Sequence, residues 1–421
     1  MTKSVGKSDK LVLVDQAFGD VMRIFGRLRV LGVVAMFFPI AVRRMMFLMA
    51  MLMVGTLASC QSISIDDSLK GLNAGTNGAT PKGSVETFGS GSVKVSMIVN
   101  RTSANGPVST GLAYRNGAAL AVKDLGSKAI KLTVLDAKGS PEQVNALAKS
   151  ELSKNTGLLI VPGDSGSISS VSSLISENSP PVIALGATGG KGIYGFLPGA
   201  ADGLIEGIRY AAGGKQKKVL MIAPQAGATM VLNKVKLGLD NSIKVTGVAP
   251  YVGTPQAADF VKLFAAKLQQ SDIVAFAGSD TVIANIAAEL KNNAKYKKIV
   301  LVGREDWSTA LLKSPALQGT IIATRDTSGM SLISGRYTKT YSQGFSSSAA
   351  YAYDLIAMAS GLVRAKGAEG LSRRQIGTPA GFRGTTGLFR FGSKGTAQRL
   401  YQISVITNGA LKVTQKSLEG F

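Results

Sequence analysis

Gly157-Leu-Leu-Ile-Val161, Gly163-Asp-Ser-Gly166, the segment 167–177 and Pro181-Val-Ile-Ala-Leu185 follow one another with hardly a residue between them. The two apolar runs are too short for helices. Each is bounded by Gly, Pro or Ser, so each reads as a buried strand. The segment 167–177 between them reads as a helix. A strand, a helix of about ten residues and another strand form the unit of a parallel sheet.

The same alternation extends outward in both directions. Upstream, Val93-Lys-Val-Ser-Met-Ile-Val99 is a strand and 100–110 a polar loop. A helix over 111–125 gathers Ala113, Gly117, Leu120, Ala121 and Leu125 on one side. Ile130-Lys-Leu-Thr-Val-Leu135 is a strand, and 141–153 a helix whose first residue, Pro141, lacks an N–H where none is needed. Downstream a second series begins near Gly213. Strands at Lys218-Val-Leu-Met-Ile-Ala223, 244–251, 272–277 and 298–302 alternate with helices over 229–239, 257–269 and 281–292. The expected fold is therefore α/β, with two doubly wound lobes and a cleft between them. Lobe 1 is expected from 93–212 plus about 325–380. Lobe 2 is expected from 213–324 plus about 381–421. A helix over 346–366 and short strands around Gly384, Gly387, Gly392 and Gly409 complete the reading.

The first 60 residues read differently. An apolar run from Val30 to Val42, the pair Arg43-Arg44 and a second apolar run lead to Leu57-Ala-Ser-Cys60. The second run has the length of a signal-peptide core, short of a membrane span. A branched apolar residue and two small ones before Cys resemble a bacterial lipobox. That resemblance implies a lipoprotein signal peptide over 1–60, with acylation of Cys60 and a membrane tether. Met36 and Met45 are alternative starts. Gln61 after the Cys leans toward the outer membrane, so the expected location is the periplasm, lipid-anchored. Residues 61–92, rich in Gly, Ser, Thr, Asn and Asp, read as a flexible tether.

Composition excludes much chemistry. The chain of 421 residues has no His and one Cys. Catalysis by Ser-His-Asp or Cys-His, His-ligated metals, internal disulfides and Cys-based zinc sites all fall away. No enzyme activity, metal or cofactor is expected. Net charge is +23, which favours anionic surroundings such as headgroups or wall polymers. No dense basic stretch is interleaved with aromatics, so nucleic acid is not an expected partner. Gly163-Asp-Ser-Gly166 copies a protease tetrapeptide but lacks a base. Gly186-Ala-Thr-Gly-Gly-Lys191 lacks the spacing of a phosphate loop.

In open α/β sheets ligands sit at the carboxyl ends of the strands. The loops after Val99, Val161, Leu185, Ala277 and Val302 are the candidates. Ser165 or Ser167 caps a helix whose N–H groups would suit a carboxylate, or caps it with no ligand at all. Glu305 and Asp306 would suit an ammonium group, with Trp307 as an apolar or cation–π wall. The same three residues also read as a solvated loop with a packed Trp.

Two resemblances follow from these residues. Gly106-Pro-Val-Ser, 116–124, Pro181-Val-Ile-Ala-Leu-Gly-Ala-Thr188 and Val302-Gly-Arg-Glu305 are similar to ligand-loop segments of type I periplasmic binding proteins, the leucine/isoleucine/valine-binding class. That resemblance implies a cleft in which Ser165, Ser167, Ala187 and Thr188 hold a carboxylate and Glu305 an ammonium. Gly195-Phe-Leu-Pro198, Gly303-Arg-Glu-Asp-Trp307, Pro315-Ala-Leu-Gln-Gly319, Ala349-Ala-Tyr-Ala-Tyr-Asp354 and Gly381-Phe-Arg-Gly-Thr-Thr-Gly-Leu-Phe-Arg-Phe391 resemble the penicillin-binding-protein activator lipoproteins, in their short α-proteobacterial form. This implies a lipid-anchored regulator of peptidoglycan synthesis that contacts a penicillin-binding protein. The alternative is a solute-binding lipoprotein that delivers amino acids or similar small molecules to an ABC permease. Gln225-Ala-Gly227 stands where amino-acid binders often have Tyr-Gly.

Overall fold

The computed structural model describes residues 84–392 and 395–421. The signal peptide, Cys60 and most of the expected tether lie outside the described residues.

Two sheets carry the chain. The first has strands in the order Val85–Phe88, Ile130–Asp136, Val93–Val99, Leu158–Pro162, Val182–Leu185 and Ile193–Gly195. All but the outermost Val85–Phe88 run parallel. The second has the order Ile243–Tyr251, Lys217–Pro224, Ile273–Phe276, Val300–Gly303, Ile321–Arg325, Tyr401–Thr407 and Ala410–Gln415. Its first five strands are parallel and the last two antiparallel. The parallel strands are apolar on both faces because helices cover both faces. Leu158, Leu159, Ile160 and Val161 all have no exposed surface.

Each sheet reverses its winding once. In the first this happens between Val93–Val99 and Leu158–Pro162, in the second between Lys217–Pro224 and Ile273–Phe276. Three short connections join the lobes. They leave Ile193–Gly195 for the helix Asp202–Ala212, Ile321–Arg325 for the helix Ser328–Tyr341, and Ala397–Arg399 for Tyr401–Thr407.

The helix Ser347–Lys366 is the spine of the first lobe. Ala349, Tyr351, Leu355, Ile356 and Ala359 bury into the same core as Val95, Met97 and Leu132. It crosses the helix Ser109–Ala121 closely at Gly117, where a Cβ would lie 2.0 Å from the Ala349 carbonyl oxygen. Only Gly permits that approach.

The structure corrects four expectations. The tether ends before residue 92, because Val85–Phe88 pairs with Ile130–Asp136 at the edge of the first sheet. Glu86 fixes it there: its carboxylate meets Arg101 at 2.5 Å and Arg115 at 2.5 Å, and both guanidiniums are buried. The helix Asp202–Ala212, expected in lobe 1, packs Leu204, Ile205 and Ile208 into the second sheet's core. Strands Phe382–Gly384, Gly387–Phe391 and Ala397–Arg399, expected in lobe 2, form a small antiparallel sheet of their own. Phe389, Phe391 and Ala397 bury into the first lobe, and only Tyr401 onward returns to the second. Finally, the helix expected over 257–269 breaks at Phe264, which sits at φ −101°, ψ 13° with its ring 4.9 Å from that of Phe260. Among the described residues no helix is long and apolar enough to cross a membrane.

Candidate functional site

The carboxyl ends of the parallel strands hold every residue singled out beforehand except Cys60, and the side chains of Ser167, Glu305, Asp306 and Trp307 are already engaged. In the first lobe the loops after Leu158–Pro162 and Val182–Leu185 touch through backbone. A Cβ on Gly163 would lie 2.1 Å from the Leu185 carbonyl oxygen. The following helix, Ser165–Ser172, is capped by Asp164 rather than by Ser165 or Ser167. The Asp164 carboxylate accepts from the Ser167 amide at 2.8 Å and from the Ser167 hydroxyl at 2.7 Å. Ser167 is buried and Ser165 exposed. A carboxylate already occupies this helix end, which disfavours a second one there. Ala187 is half-buried and Thr188 exposed in the neighbouring loop.

In the second lobe Glu305 is not open to an ammonium group. It accepts from the Arg325 amide at 3.1 Å and from Arg325 Nε at 2.8 Å. Asp306 is held by the guanidinium of Arg304, at 2.9 Å through Nε and 2.5 Å through Nη2. Trp307 is a core residue, 5% exposed. Its ring lies over Gly303, where a Cβ would come within 2.4 Å, and Nε1 donates to the Gly278 carbonyl at 2.9 Å. It braces the loop after Ile273–Phe276 from behind and forms no cleft wall.

What that loop lines is a recess of about 320 Å³ at the switch point of the second sheet. Its wall includes Pro224, Gly227, Met230, Ser279, Asp280 and Arg304. Ala226 and Gly227, from the departure noted in the sequence, form one rim. Gly227 at φ 81° opens the helix Ala228–Gly238, which carries no side-chain cap. Opposite, Asp280 accepts from the Tyr251 hydroxyl at 2.6 Å and from the Val282 amide at 3.1 Å. Burial, with the Asp280 carboxylate beside it, holds the Tyr251 phenol protonated well beyond its ordinary range. Arg304 Nη1 donates to the Ala277 carbonyl at 2.9 Å, closing the floor. Met230, 58% exposed, leaves an apolar patch at the mouth. Polar groups fixed by second partners, around a concave surface with apolar walls, suit a small organic solute.

A second constellation sits where the lobes join. Arg399 is stacked among three rings, its Cζ 4.7 Å from Phe196, 5.2 Å from Tyr351 and 5.4 Å from Phe389. It donates to the Phe196 carbonyl at 2.9 Å and to the Thr386 hydroxyl at 3.2 Å. Burial, followed by the nearby Arg325 charge, lowers its pKa to about 10. Tyr351 bonds Arg325 through its hydroxyl on the other side, so one ring links two arginines from separate connections. Asp354 holds the turn between Phe382–Gly384 and Gly387–Phe391 through the amides and hydroxyls of Thr385 and Thr386, at 2.6 to 2.9 Å. The sequence pointed to Tyr351, Asp354 and the Gly381–Phe391 stretch by resemblance, but gave no sign of Arg325 or Arg399. Their partners lie far away along the chain.

No protein-family model matches this chain, and no curated protein matches it. Solved structures do. One, described as a branched-chain amino acid ABC transporter from Rhodospirillum rubrum, superposes with a TM-score of 0.61 at 16% identity, over 76% of this chain and 99% of that one. An ABC transporter substrate-binding protein from Sphaerobacter thermophilus gives 0.53 at 15% identity, over 78% and 97%. At such identities the likeness speaks for fold. The chain has the type I periplasmic binding protein fold, with two α/β lobes.

Proposed function

We propose that this chain is a solute-binding protein of the ABC-importer kind, tethered through Cys60 on the periplasmic side of the outer membrane. The observation that carries this reading is the recess at the second sheet's switch point, where folds of this kind take ligands. Its cargo is not a free α-amino acid held by Ser165, Ser167 and Glu305. Asp164 caps the helix that would take the carboxylate, and Arg325 fills the carboxylate that would take the ammonium.

One observation favours a second reading, that of a regulator contacting a penicillin-binding protein. The stretch most similar to the activator lipoproteins, Gly381 to Phe391, is spent on holding Arg399 and Asp354 at the lobe junction. A rigid junction serves protein contact as well as it serves solute capture.

Thermal unfolding of the full chain against amino acids, sugars and muropeptide fragments separates the two. A bound solute at 100 times its dissociation constant adds about 2.7 kcal/mol, which moves the midpoint by several degrees. A shift that Arg304→Ala abolishes supports solute binding. No shift with any compound, together with capture of a penicillin-binding protein by the immobilised chain, replaces it with the regulator.

A further inference from the structure

A separate cavity of about 430 Å³ lies on the helix Asp202–Ala212 face of the second lobe, beside the connection Arg399-Leu-Tyr401. Glu206, Arg209, Arg399, Tyr401, Lys416 and Leu418 are among its lining. These include three cations and one carboxylate, and Arg209 pairs with that carboxylate through its own guanidinium. Tyr401 and Arg399 each keep one buried donor, the hydroxyl and Nε, with no hydrogen-bond partner among the described residues. Burial, then the Asp202 and Glu305 carboxylates, push the Tyr401 phenol far up against the opposing charges of Arg399 and Arg325, so it stays a donor at any working pH. Buried donors without acceptors cost free energy that an incoming acceptor returns. The outer wall is the exposed segment after Gln415. Its contacts include Arg383 Nη2 on the Glu419 carbonyl at 3.3 Å and Arg390 over the Phe421 ring at 4.4 Å. A ligand reaches the two buried donors only if this segment moves aside. Leu418 and Ile403 supply apolar surface for a short hydrocarbon body.

We propose that this cavity is a binding site for a small monocarboxylate with an apolar body, its head group received by Tyr401, Arg399 and Lys416.

The test uses hexanoate and, as a neutral analogue, hexan-1-ol, by equilibrium dialysis of the full chain with matched detergent on both sides. Hexanoate is expected to bind at least tenfold more tightly than hexan-1-ol. Tyr401→Phe and Lys416→Gln are each expected to weaken hexanoate tenfold or more, the range for one lost hydrogen bond or contact to a charged group. Tyr401→Phe removes a hydroxyl without a protein partner, so its unfolding midpoint stays level or rises, which separates lost binding from lost folding. Arg304→Ala, in the other recess, leaves hexanoate affinity unchanged. The proposal is overturned by no hexanoate binding at tens of millimolar, by equal binding of the alcohol, by wild-type affinity in both variants, or by loss of binding in Arg304→Ala.

Discussion

Glu86→Ala tests whether the strand Val85–Phe88 belongs to the folded lobe or is an incidental end of a tether. Glu86 is 13% exposed, and its two oxygens pair with Arg101 and Arg115, whose side chains are 2% and 6% exposed. Arg115 also lies over the Phe88 ring at 4.9 Å, so the pair and the strand are tied together. Removing one partner from a buried ion cluster costs about 3–5 kcal/mol, against less than 1 kcal/mol for an exposed pair. Here the deletion withdraws the carboxylate that two buried guanidiniums share, and the upper half of that range applies. In a folded unit of this size the unfolding midpoint falls by on the order of 5–10 °C. Urea unfolding followed by far-ultraviolet circular dichroism measures the loss, with Asp306→Ala at the exposed Arg304 pair as the control. A loss in Glu86→Ala no larger than in the control would return residues 84–92 to the tether.

Three further outcomes follow from the geometry. Gly117→Ala drives a methyl into the Ala349 backbone and is expected to cost about 1–3 kcal/mol, read as a lower urea midpoint with an unchanged slope. Glu305→Gln removes the charge from the Arg325 pair; it should cost about 1–2 kcal/mol in the same assay and leave the affinity for every amino acid untouched. Asp136 feels burial, which raises its pKa, but the Thr102 hydroxyl and the amides of Lys138, Arg101 and Thr102 outweigh it and hold the carboxyl below 3.8. Its stabilisation is therefore complete above the unfolded value and is lost as pH falls through the depressed one, so Asp136→Asn should flatten the acid limb of the stability profile.

The alternation of strands and helices was largely legible because the parallel strands are apolar on both faces and their connecting helices are amphipathic. Val93–Val99 and the helix Pro141–Ser153 have the bounds that their sequences suggest. Val85-Glu-Thr-Phe88 was not legible. It is short, flanked by Gly and Ser, and its decisive partners stand 15 and 29 positions away at Arg101 and Arg115. The placement of 382–399 failed for a similar reason. Phe389 and Phe391 would suit either core, and long-range contacts with Tyr194 and Phe196 assign them. At the site, Ser and Asp are equal helix caps by chemistry, so choosing Ser165 or Ser167 over Asp164 had no local remedy. Trp307 read two ways, and the bland way holds: Gly303, four residues upstream, leaves the gap its ring fills. Glu305 looked like a receptor because Arg325 is twenty residues distant and joins it only through the pairing of Val300–Gly303 with Ile321–Arg325.

If a solute sits at the switch point of the second lobe, it protects the backbone around it. Amide hydrogen exchange of the full chain is compared with and without the compound that shifts its unfolding midpoint. Slower exchange is expected at 226–231 and 277–282, around the recess. Slowing confined to the first-lobe loops at 163–167 and 186–190, or absent from the recess altogether, would contradict it.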